Sequence, residues 1–147
     1  MKSPYLSLAA NLAISTVVMY LVMFSMIDGR DDFYNNVNML YMALTMVAPM
    51  AVLMLLMMGS MYPSRSINIF LYILFAGIFV VAFAFTRAQA LVGDRQFLRS
   101  MIPHHSGAIL MCREASLSDP EIVALCEQII RSQREEIAQM KSILSRH

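Results

Sequence analysis

The chain has 147 residues, 59% of them hydrophobic and 14% charged, with a formal net charge of +1 and a mean hydropathy of +0.61. A chain this short and this apolar has more hydrophobic surface than a water-soluble core can hide, so composition points to a small integral membrane protein. The near-neutral charge, with no basic stripe and no phosphate-cradling glycine loop, argues against nucleic-acid or nucleotide binding.

Three apolar stretches, about Tyr5 to Ile27, Val37 to Met58 and Ile67 to Thr86, are each close to the roughly 20 residues with which a helix crosses a bilayer. They make residues 1–86 a membrane domain. The first is longer than a signal-peptide core and has no small-x-small cleavage site before Asp28, so it reads as a retained anchor. Three spans put the two ends on opposite sides. Lys2 and Arg65 on one side balance Arg30 and Arg87 on the other. The acidic run Asp28-Gly29-Arg30-Asp31-Asp32 tips the expectation toward a cytoplasmic N-terminus and an extracytoplasmic, periplasmic C-terminal domain in an inner or plasma membrane. Its carboxylates read as loop caps.

Methionine occurs 15 times. In the second stretch Met42, Met46, Met50, Met54 and Met58 recur every four residues, while Met39, Met46, Met50, Met57 and Met61 follow a narrower face. Met19, Met23 and Met26 have similar spacing in the first stretch, so two helices are expected to face each other across a thioether-lined seam. Thioethers are soft, uncharged ligands that select Cu(I) or Ag(I) and bind without losing a proton. Methionine is equally a flexible apolar filler, and that reading stays open. Pro49 lies within the ladder and should kink the helix there.

After the third span, residues 87–100 read as a connector helix with a break at Gly93, and residues 101–147 as a helical hairpin. Pro103 fits a first helical position. That puts His104 and His105, two of the three histidines, in a first turn where the helix dipole favours neutral imidazole able to bind a metal. One arm runs His104 to Ser116. The turn is Leu117-Ser118-Asp119-Pro120, with Asp119 as N-cap and Pro120 at N1, and the second arm runs Glu121 to about Leu144. Ile122, Leu125, Ile129, Ile130, Ile137, Met140 and Leu144 form its apolar stripe. Antiparallel arms would set Cys112 level with Cys126, the two histidines near Gln133, and Met101 near Glu136.

Cys112 and Cys126 fit a disulfide, a pair of thiolate ligands or buried small hydrophobes, and the count does not choose among these. Glu114, Glu135 and Glu136 read as solvated helix charges, with Glu136 also a secondary candidate ligand. No carboxylate pair and no nucleophile beside a histidine supports catalysis, so the chain is read as a non-enzyme.

Asp94, Phe97, M-I-P-H-H-S-G-A-I at Met101 to Ile109, Met111, and I-I-R-S-Q-R-E-E-I-A-Q-M at Ile129 to Met140 together resemble domain-of-unknown-function family 305. Its best-known members are periplasmic CopM-like copper-binding proteins. The likeness covers about Asp94 to Leu144. Short three-span members look similar along the whole chain, including Tyr41-Met42, Met50 to Met54 and Thr86 to Gln89. The resemblance implies a ferritin-like helical bundle, completed by dimerisation or by preceding helices, with Met101, His104, His105, Met111 and Met140 as copper ligands. Cys112 and Cys126 stand where that pattern has small non-thiol residues.

The expectation is therefore an all-α membrane protein, three transmembrane helices followed by an extracytoplasmic hairpin. It would bind Cu(I) or silver ion in copper homeostasis or tolerance and self-associate. Met23, Met26 and Met39, with Met42, Met46, Met50 and Met54, would relay the ion. An oligomeric metal-conducting channel lined by the ladder is the second reading, and a structural interaction protein without a metal is the third.

Overall fold

The computed structural model describes residues 4–147, which contain five α-helices and no strand. They are α1 (Pro4–Val22), α2 (Val37–Met57), α3 (Arg65–Ala88), α4 (Asp94–Glu114) and α5 (Pro120–Leu144), with short 3-10 turns at Met23–Met26, Arg30–Asp32 and Gly59–Met61. The all-α expectation holds. By length and composition three helical segments could cross a membrane: Pro4–Met26, Val37–Met57 and Arg65–Ala88.

Two compact units divide the chain. The first joins α1 up to Val22 with Asn38–Ala90, and the second joins Met23–Val37 with Leu91–His147.

In the first unit, Leu8 and Leu12 of α1 and Val47, Ala51 and Leu55 of α2 form a buried cluster with Tyr62, and Leu71, Tyr72 and Phe75 of α3 pack against it. Most remaining apolar side chains point outward, among them Leu6, Val17, Leu53, Phe70, Ile73 and Val80. Threonine hydroxyls in these helices are satisfied on their own helix: Thr16 Oγ1 donates to Leu12 O and Thr45 Oγ1 to Tyr41 O, both at 2.7 Å. Tyr5 closes one end of the unit by donating to Asn68 Oδ1 at 3.0 Å while its oxygen accepts the Ser64 N–H at 3.0 Å. Ser64 also caps α3, and Gln89 ends it in the left-handed region at φ 50°.

The methionine ladder does not form one seam. Met19, Met50 and Met54 pack against the buried cluster, whereas Met42, Met46, Met57, Met58 and Met61 are exposed, Met57 to 84%. A step of four residues overshoots a full turn by about 40°, so five rungs wind roughly 160° around the helix. Of the narrower series, Met39, Met46, Met50 and Met57 share one face of α2, with Met46 and Met57 exposed, while Met61 lies beyond the helix in the Gly59–Met61 turn. Met23 and Met26 lie beyond the end of α1, in the second unit.

The second unit is an antiparallel hairpin of α4 and α5 on which the segment Met23–Val37 packs. Leu98, Ile102, Ile109, Ile137 and Met140 form its core, joined by Tyr34, Met101, Ile130, Ile143 and Leu144. Asp119 accepts from the N–H groups of Glu121 at 2.8 Å and Ile122 at 3.3 Å, with Pro120 opening α5 as expected. Two of the seven residues of the α5 stripe, Ile122 and Leu125, are exposed.

The start of α4 differs from the expected one. Gly93 is its N-cap, so the connector and the first arm are a single helix, and Pro103 lies inside it. A proline at 103 cannot bond the carbonyl four residues back, that of Arg99. Asn36, buried and reaching over from the 23–37 segment, donates Nδ2–H to that carbonyl at 3.4 Å and to Tyr34 O at 3.0 Å. The helix therefore runs through the proline.

Candidate metal centre

Because α4 begins at Asp94, His104 and His105 sit in mid-helix, and the first-turn dipole argument for neutral rings does not apply to them. Their neighbourhoods differ. His105 is 12% exposed in its side chain and faces α5, whereas His104 is exposed, with its ring centroid 6.0 Å from that of His105.

On α4, Met101 and His105 are four residues apart and share a face; on α5, Glu136 and Met140 do the same. The antiparallel arms bring these two pairs together. His105 Nδ1 lies 3.0 Å from Glu136 Oε2, one turn along from the Gln133 level expected for it. Met101 packs against the core cluster that contains Met140. Glu136 is held in turn by Ser132, whose hydroxyl donates to Oε1 at 2.8 Å.

The His105 Nδ1 atom is buried, and although it is near Glu136 it makes no directed hydrogen bond. With Nδ1 turned toward the carboxylate, Nε2 is the nitrogen left to donate a lone pair. A carboxylate that accepted the Nδ1–H would orient the ring as a metal ligand. Together with the thioethers of Met101 and Met140, one turn away on each helix, an imidazole would make a donor set that fits Cu(I) or Ag(I). No group of three or more His, Cys, Asp or Glu side chains is placed to hold a metal among the described residues.

The other candidates fall outside this set. Met111 is 61% exposed and seven residues from His104, about 10 Å along the helix, too far for the two to share one ion within a chain. Cys112 and Cys126 are joined in a disulfide with their Cα atoms 5.2 Å apart, which settles the alternatives left open by the sequence and removes both thiolates from the ligand set in this state.

Four residues beside the site were not singled out from the sequence, and Asp32 was read only as a loop cap. Ser106, 0% exposed, accepts the Asp28 N–H at 2.7 Å and donates to Asp32 Oδ2 at 2.6 Å, while Lys141 Nζ meets Asp32 Oδ1 at 2.6 Å. Arg113 pairs with Asp28 at 2.6 Å; its hydrogen bond to Glu114 and the nearby Asp28 carboxylate hold the guanidinium pKa above its ordinary value. Gly107 leaves room for the chain itself, since a Cβ there would stand 3.3 Å from the Met26 carbonyl oxygen. The Ser-Gly that follows the two histidines is thus the floor on which the 23–37 segment rests. The available signal was a serine and a glycine on the buried side of a helix, which permit close backbone approach.

The family model described as Domain of unknown function (DUF305) matches residues 83–144. No solved structure matches the chain. It is similar to the uncharacterized protein L153 of Acanthamoeba polyphaga mimivirus, 38% identical over 115 residues that cover 77% of this chain and 74% of the viral one. That similarity extends beyond residues 83–144 into the membrane-domain sequence, and with the match to the domain itself it establishes that the chain belongs to the DUF305 family.

Proposed function

We propose that this chain is a membrane-anchored binding protein for soft metal ions, Cu(I) or Ag(I), serving copper homeostasis or tolerance without catalysing a reaction. The observation that carries the reading is His105 of α4 set against Glu136 of α5, with Met101 and Met140, one turn away on each helix, in the same core cluster. His105 and the two thioethers would hold the ion, Glu136 would fix the ring, and exposed His104 and Met111 would meet incoming ions. The resemblance to CopM-like proteins supports the choice of metal. Bound there, the metal would be cargo.

We place the hairpin on the extracytoplasmic, periplasmic side and the N-terminus in the cytoplasm. With three spans, the 23–37 segment and the C-terminal region emerge on the same side, as their packing in one unit requires. A disulfide at Cys112–Cys126 suits an oxidising compartment. Cells lacking the protein should lose tolerance to copper and silver and change their metal content; unchanged tolerance and content would remove this reading.

A second reading is an oligomeric conduit for the same ions. It is favoured by the outward-facing Met42, Met46, Met57 and Met61, which only several copies together could close into a lining. Cu(I) uptake into liposomes, abolished by Met46→Leu with Met50→Leu, would separate conduction from binding. If leucine replacements and His105→Ala all leave cellular metal handling intact, the structural-partner reading takes their place.

A further inference from the structure

We infer that the outer face of α1 is an interface for a second copy of this chain, centred on Asn11. Helix α1 buries Leu8 and Leu12 against the rest of its unit. Asn11 is exposed, about 80° around the helix from the middle of that pair, and Ile14, Val18 and Val22 continue its exposed strip at i+3, i+7 and i+11. Asn11 is seven residues into a helix long and apolar enough to cross a membrane, about 10 Å along it, and so within the roughly 30 Å hydrocarbon layer.

Its carboxamide is only partly satisfied. Oδ1 accepts the Ser15 hydroxyl at 3.2 Å, and the two Nδ2 protons have no acceptor among the described residues. Lipid tails offer none, and polar side chains in spans are accordingly turned toward protein, where Asn and Ser join helices by hydrogen bonds. Every apolar neighbour on this face could be covered by lipid. Asn11 could not.

The chemistry selects the occupant. Two copies in one membrane share an orientation, so two α1 helices meet in parallel and, about a two-fold axis, residue 11 faces residue 11. A carboxamide complements itself: each Nδ2 donates to the other copy's Oδ1 and each Oδ1 accepts. A lipid or an unrelated span would need its own matching group at that depth.

Fluorescently labelled full-length protein in phosphatidylcholine–phosphatidylglycerol vesicles, counted by photobleaching steps over a range of protein-to-lipid ratios, tests this. The wild type should pair, Asn11→Leu should dissociate roughly tenfold more readily, and Asn11→Gln should keep the pairing. Val18→Cys should crosslink between copies while Leu12→Cys, on the buried face, should not; native thiols do not interfere, since both cysteines are paired with each other. A wild type that is single at every ratio, equal pairing of Asn11→Leu, or crosslinking at Leu12→Cys as strong as at Val18→Cys would each overturn the inference. The first result would assign the face to lipid or to a different protein.

Discussion

Asn36 supplies the hydrogen bond that Pro103 takes away: its Nδ2 lies 3.4 Å from the carbonyl oxygen of Arg99, the acceptor four residues before the proline. The relationship spans 63 positions in sequence and ties the first inter-span segment to the helix that carries both histidines.

Replacing Asn36 by alanine should destabilise the second unit by about 1–3 kcal/mol, the usual cost of leaving a buried acceptor unpaired. In a Pro103→Ala background the penalty should shrink, because residue 103 then has an N–H of its own for Arg99. Denaturant unfolding of the four chains in this cycle measures the coupling. Equal penalties in both backgrounds would show that Asn36 acts elsewhere, through its bond to Tyr34.

Gly107→Leu should lift Met23–Val37 from the hairpin, since even a Cβ stands 3.3 Å from the Met26 carbonyl oxygen. Ser106→Ala should loosen the same segment less, by removing partners of Asp28 and Asp32. Trypsin cleavage after Arg30, which is exposed in a segment now held down at both flanks, reports the release. The expected order of cleavage rate is Gly107→Leu, then Ser106→Ala, then wild type.

The three helices of membrane-crossing length, the hairpin turn and the Asp119–Pro120 start of α5 were legible because each depends on local composition or a local cap. Pro103 misled the boundary because helix termination by proline assumes that no outside donor replaces the lost bond, and Asn36 is such a donor from far along the chain. Of the site, the Met101–His105 and Glu136–Met140 pairs follow from helical spacing. Which histidine faces inward does not, because adjacent residues on a helix differ by about 100° and only packing chooses between them. The ladder looked continuous as text, and its winding around α2 emerges only from the residual angle per step.

Reduction of the Cys112–Cys126 disulfide, which closes a short loop at the hairpin turn, should cost about 3 kcal/mol. The loss should be local. Ile122 and Leu125 are exposed there and contribute little packing, so amide exchange should rise around the turn and least near Ile102 and Ile137. Metal binding should survive reduction or Cys112→Ser with Cys126→Ser, because the proposed ligands are an imidazole and thioethers. Binding lost in the double serine variant would return the cysteines to the ligand set.

Glu136→Gln keeps the shape of the side chain and its Ser132 contact while removing the charge behind His105. We expect Cu(I) affinity to fall roughly 10–100-fold, the usual effect of losing a carboxylate that orients a ligating histidine. Glu135→Gln, on the exposed side of α5, should leave affinity unchanged. Competition with a colorimetric Cu(I) chelator gives both values.

The most direct measurement is an anaerobic Cu(I) titration of the purified full chain beside His105→Ala and His104→Ala, with bound metal counted by elemental analysis. The account predicts that His105→Ala loses a tight equivalent that His104→Ala retains, since His105 is the half-buried histidine set against Glu136 and His104 is exposed. Equal metal content in His105→Ala and the wild type would contradict it and leave the two methionines and the histidine as packing between α4 and α5.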